Sequence, residues 1–178
     1  MNPPVNTTSS AREILHQRAI AAAAVKRDIV EPTLSVIEFA LADERYALEM
    51  NFVTKVHPLE QLTRLPCTPE FLTGIINVRG RIVAVIDLKQ FFELPEKGIS
   101  DLHRVIVVQH DDVELGILVD YVVGTREVPL SRVQPPLPTL TGIRAGYLKG
   151  ISDDRLILLD AAQILTDPKI IIDQTTKP

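Results

Sequence analysis

The sequence predicts a mainly β protein built from two related halves, folded as small barrels or a sandwich. Three observations lead there. From residue 33 onward the chain is a series of short apolar or alternating runs separated by turn residues, the texture of closely spaced strands. Helical periodicity is confined to one stretch before residue 31 and to short pieces afterwards. A motif also recurs. Phe71-Leu72-Thr73-Gly74-Ile75 is echoed by Tyr147-Leu148-Lys149-Gly150-Ile151, and Arg81-Ile82-Val83-Ala84-Val85-Ile86-Asp87 by Arg155-Leu156-Ile157-Leu158-Leu159-Asp160. Tyr46-Ala47-Leu48 and Leu115-Gly116-Ile117, each after an acidic turn, extend the echo. Halves of about 60 residues bury little surface alone, so they should share a core.

Residues 1–9 are polar and rich in Pro, Asn and Thr, the composition of a flexible terminus. Ser10 and Glu13 form a capping box for a helix over 10–30, whose narrow apolar stripe is Leu15, Ala19, Ala22, Val25 and Ile29. Glu31-Pro32 ends it, because the residue before a proline is pushed out of the α region. Strands are then expected over 34–41 and 45–50, joined by an acidic turn at 42–44, and over 53–56 before Pro58. Strands at 74–78 and 82–88 flank a turn at Arg79-Gly80. The second half should hold strands at 104–109, 113–119, 148–151 and 156–159. This gives a domain over 33–166, with halves at about 33–92 and 102–165, and a C-terminal tail over 167–178.

Several strands are apolar on both faces: 82–86, 105–108 and 156–159. A small barrel has one interior and needs only alternate residues buried. The second face must therefore meet the other half or another protein. The shared core takes the larger part, and a groove between the halves is a natural site for a partner helix or an added strand.

Composition narrows the function. The chain carries 19 Lys and Arg against 23 Asp and Glu, a net charge of −4, with its basic residues scattered. Nucleic-acid binding needs clustered cations and stacking aromatics, and this chain has no Trp, three Tyr and five Phe. A membrane span needs about 18–20 apolar residues in a row, and no run approaches that length. The single cysteine, Cys67, cannot form an internal disulfide and fits a reducing cytoplasmic setting. His16, His57, His103 and His110 lack metal-ligand spacing, and there is no P-loop, G-x-G-x-x-G or G-x-S-x-G motif. No catalytic, cofactor or metal residues are expected, and the protein is read as a non-enzymatic binding protein. The rival class is a small β-barrel that binds a ligand in a polar pocket.

Residues 70–88, with Asn77-Val78-Arg79-Gly80 at their centre and Asp87-Leu88 at their close, resemble the hallmark of CheW-like domains. The resemblance runs from about residue 34 to 165, includes a helix start at Thr68-Pro69-Glu70-Phe71, and leaves the N-terminal helix outside. It implies two five-stranded SH3-like barrels sharing a core. It also implies an adaptor between the CheA-type histidine kinase, through that kinase's regulatory domain, and the cytoplasmic tips of chemoreceptors. The setting would be cytoplasmic, at membrane-associated receptor arrays, and the output motility, pili or a cyclic-dinucleotide pathway. Arg79 matches the family's turn arginine, flanked by Asn77, Val78 and Gly80. Gly74 matches a glycine linked to receptor contact, and Val53 and Val56 match a partner-linked strand edge. Lys55 stands where the family often has a glutamate, which inverts a charge at that edge. Asp87 is read as a cap for a helix over 88–92.

Overall fold

The structure, a computed structural model, describes residues 31–95, 103–136 and 143–170. The expected N-terminal helix over 10–30 lies outside the described residues. Eleven strands and two short helices follow in order among those described. They are β1 (Thr33–Leu41), β2 (Glu44–Glu49), β3 (Val53–Pro58), β4 (Leu72–Val78), β5 (Arg81–Asp87) and α1 (Leu88–Phe91). The second half supplies β6 (Arg104–His110), β7 (Val113–Val119), β8 (Tyr121–Pro129), β9 (Val133–Gln134), β10 (Leu148–Ser152), β11 (Ile157–Leu159) and α2 (Ala161–Thr166).

The strands form two sheets, β3-β6-β7-β5-β4 and β8-β1-β2-β11-β10-β9, the cores of two SH3-like barrel subdomains. Each sheet draws strands from both halves of the sequence, so the barrels do not follow the expected division at residues 92 and 102. The sixth strand of the second sheet, β9, is only two residues long. The sequence repeat is a structural one. β5 lies parallel to β7 as β11 lies parallel to β2. Asp87 caps α1 by accepting from the Lys89 N–H at 2.8 Å, and Asp160 caps α2 by accepting from the Gln163 N–H at 3.0 Å. Both β4 and β10 carry an irregularity at their glycine, Gly74 and Gly150.

Burial on both faces of β6 shows where the surplus apolar surface goes. Val105, Ile106, Val107 and Val108 are all buried. Ile106 and Val108 join a core shared by both sheets, with Ile37, Phe39, Tyr46 and Leu48 from one and Ile86, Ile117 and Val119 from the other. Val105 and Val107 fill their own barrel with Ile76, Val83, Val85 and Leu118. Val36, Ala47, Val128, Leu156 and Leu158 fill the second barrel. The doubly apolar strands are therefore buried mainly inside the protein, as expected for the larger part of their surface. Ile82, 63% exposed, is the residue of 82–86 that remains outside.

Two elements differ from expectation. The segment 68–71 is a turn rather than a helix start, closed by Leu72 N–H donating to the Pro69 carbonyl at 2.9 Å. β4 begins at Leu72, directly after the turn, which leaves no residues to extend it into a helix. β8 was not expected, because no turn signal separates it from β7. The chain passes from one sheet to the other at Asp120. That residue donates its N–H to the Ala40 carbonyl at 3.0 Å and accepts from the Ala42 N–H at 2.7 Å. The buried Lys89 Nζ lies 2.6 Å from Asp120 Oδ1, and His103 Nε2 lies 3.1 Å from the same oxygen. Held by the Ala42 N–H and the Lys89 ammonium, this carboxylate fixes the crossing point between barrels. Ile170, beyond the expected domain end, is buried in the shared core.

Phe71, Phe91, Phe92 and Tyr147 form an aromatic cluster joining the halves, with Phe91 5.2 Å from both Phe71 and Tyr147. The Tyr147 hydroxyl donates to Asp167. Burial, reinforced by this carboxylate, pushes the phenol up from 10 to about 12. A folded pKa raised above its unfolded value gives stability that is full below pH 10 and is lost as pH rises toward 12. Urea midpoints should therefore drop across that window, and the drop should be smaller in Tyr147→Phe. Equal drops in the two proteins would remove Tyr147 as its source.

Candidate functional site

The β4–β5 connection is a two-residue turn. Val78 pairs with Arg81, and between them Arg79 has φ 53° and Gly80 φ 85°. Two consecutive positive φ values define the type I′ turn, whose twist matches the flanking strands. Asn77 supports it by accepting from the Gly80 N–H at 2.7 Å. Glycine carries the second position without strain, and nothing lies within 4 Å of where a Cβ would stand. Arginine at the first position is unusual, since Asn, Asp and Gly are the residues that favour it. The turn holds an exposed guanidinium at a fixed place on the surface.

Beside the turn, β3 pairs with β6 through an irregularity between Val53 and Lys55. Thr54 turns its hydroxyl to the Val107 carbonyl at 3.1 Å. A surface groove of about 190 Å³ results, lined by Thr54, Lys55, Val78, Arg79, Arg81, Val107 and Glu114. It brings together Lys55, Val78 and Arg79 from the sequence expectations. Asn77 and Gly80 build the turn beside it. Val53 instead packs against the shared core, and Val56, 39% exposed, stands on the outer side of β3. Gly74 is buried within β4, where an added Cβ would lie 2.3 Å from the Thr63 carbonyl oxygen. Its effect on any surface contact runs through the fold.

Thr54, Arg81, Val107 and Glu114 were not anticipated. They come from four strands whose adjacency depends on the sheet order. Arg81 and Glu114 pair at 3.1 Å. Lys55 and Arg79 make no side-chain ion pair with the described residues.

The related barrel shows what happens when such cations are neutralised. Glu38 pairs with Ala47 as Val107 pairs with Gly116, and Arg45 sits opposite Ala40 as Glu114 sits opposite Gln109. At that place Glu38, with a side chain 5% exposed, accepts from Arg45 at 3.0 Å and Arg126 at 3.2 Å. Asp154 accepts from Arg126 at 2.8 Å, and its backbone carbonyl accepts from Arg45 at 2.7 Å. The hydrogen bonds from Ser152 and then Arg126 hold the Asp154 carboxyl below the ordinary carboxylate range. These cations are spent on the fold. Glu38→Gln should lower stability by about 1–2 kcal/mol by weakening both arginine contacts. An unchanged urea midpoint would count against the network.

Comparisons with known proteins fit this architecture. The CheW-like domain matches residues 35–169. Chemotaxis protein CheW of Treponema pallidum is 26% identical over 163 residues, covering 88% of this chain and 93% of its own. Protein PilI of Pseudomonas aeruginosa is 28% identical over 134 residues, 75% of each chain. The crystal structure of the scaffolding protein CheW from Thermoanaerobacter tengcongensis superposes with a TM-score of 0.66 at 35% identity, covering 72% of this chain and 89% of that one. On its sequence, its paired barrels and its arginine turn, the chain belongs to the CheW-like family of chemotaxis coupling proteins.

Proposed function

We propose that the protein is a non-enzymatic adaptor that joins the regulatory domain of a CheA-type histidine kinase to the cytoplasmic tips of chemoreceptors. The strained, exposed Arg79 beside Lys55 carries this reading, because neither cation serves an ion pair within the described fold. An exposed guanidinium on a rigid turn makes bidentate bonds to carboxylates or carbonyls of another macromolecule. The protein would act in the cytoplasm, at receptor arrays, and would transmit changes by binding alone. The same bridging task in a non-flagellar chemosensory pathway is the second reading, favoured by the similarity to PilI, a relative not named as a chemotaxis protein.

Purified components test the proposal. The chain, immobilised, should retain kinase regulatory domain and receptor-tip fragment together. A sample that ignores both, or that turns over a substrate unaided, overturns it.

A further inference from the structure

We infer that the groove beside the Arg79 turn receives carboxylates from an acidic protein surface, docked through side chains rather than by strand addition. This rests on the adaptor reading and specifies the chemistry of its partner at one place.

The charge balance of the groove comes first. Three cations, Lys55, Arg79 and Arg81, line it with one carboxylate, Glu114, which Arg81 already engages at 3.1 Å. Among the described residues two positive charges remain uncompensated, on a protein whose net charge is −4. A concave site of one sign, set in a surface of the other, attracts and orients a complementary partner. The related barrel supplies a control within the same molecule. There the corresponding positions hold Glu38 and Arg45, and the arginines are neutralised by Glu38 and Asp154. Arg45 and Arg126 there are neutralised within the fold, whereas Lys55 and Arg79 make no ion pair with the described residues.

The edge geometry separates two ways of docking. β3 ends its sheet, so its outer backbone edge faces no strand in the pairing order. Its ladder is nevertheless irregular between Val53 and Lys55, and its sixth residue is Pro58, which has no N–H to offer. Bulges and prolines blunt an edge against strand addition. Side chains are left to make the contact. Val78 lines the groove together with the cations. An apolar side chain among them suits a protein surface better than a free inorganic anion.

Two titrations of the full isotope-labelled chain test the inference. In the first, a short glutamate peptide should shift the resonances of Lys55, Arg79 and Arg81, and these shifts should vanish in Lys55→Glu/Arg79→Glu. Inorganic phosphate at matched ionic strength should leave them largely unmoved. Shifts scattered over the surface, or an equal response to phosphate, overturn the inference whatever the protein's role. In the second, binding to the kinase domain and receptor fragment should weaken about tenfold in the double variant at low salt, with the two proteins converging at high salt. Binding by the wild type with no loss in the variant overturns the acidic-partner inference and leaves the adaptor reading standing. A localised peptide response without any binding to kinase or receptor sinks the adaptor reading and keeps the groove chemistry.

Discussion

Gly74→Ala is expected to destabilise the protein by about 3–4 kcal/mol, with loss of any partner binding only as a consequence of unfolding. Two costs add. Gly74 has φ +151°, a conformation that L side chains rarely adopt. Its Cβ would also stand 2.3 Å from the Thr63 carbonyl oxygen and 2.9 Å from the Thr63 carbonyl carbon. Those atoms are backbone and cannot rotate away, because Thr63 and Ile75 exchange hydrogen bonds of 2.9 and 2.8 Å. Gly150 in the other barrel is also crowded, its Cβ position 2.5 Å from a Val133 methyl and 2.8 Å from the Gln134 carbonyl oxygen, but without the positive φ. Gly80→Ala is the comparison: its site is open, so only the cost of positive φ applies, about 1 kcal/mol. Urea unfolding of the two variants should rank them in that order. A Gly74→Ala protein as stable as the wild type would mean that the close approach of Thr63 to β4 does not exist in solution.

Arg79→Asn should separate stability from function. Asparagine tolerates the left-handed region better than arginine, so the substitution relieves strain at φ 53° and should raise stability by about 0.5–1 kcal/mol. In the proposed adaptor role it removes a guanidinium from the contact and should weaken assembly by about 1–3 kcal/mol, a hot-spot magnitude. A purely structural arginine predicts the opposite pattern, with stability falling and assembly following it. Thermal unfolding and binding titration on one preparation distinguish the two.

These cases show what a single sequence discloses. The hairpin of β4 and β5 was legible because Asn77, Arg79 and Gly80 lie within four residues, and local chemistry dictates the turn. Gly74 was legible as special, but its reason was not, since Thr63 approaches it from eleven positions away. The repeat was legible from matching apolar runs, whereas the exchange of strands between halves was not. Nothing in the run from Val119 to Tyr121 announces that the chain changes sheets at Asp120, and the anchoring donors, Lys89 and Ala42, are distant in sequence. The main destination of the doubly apolar strands, a shared core, was legible, but not which face of each strand goes there. Only the stacking of two sheets turns the second face of β6 into a shared core. The groove needed Lys55, Arg79, Arg81 and Glu114 in one place, which follows from β3 and β5 flanking the β6–β7 pair.

Hydrogen exchange on the assembled complex gives the most direct measurement of where this protein is gripped. On adding kinase regulatory domain and receptor-tip fragment, amide protection should rise at residues 54–56 and 78–81. Protection confined to other strands, with the Arg79 turn exchanging as fast as in the free chain, would contradict a contact built on that arginine.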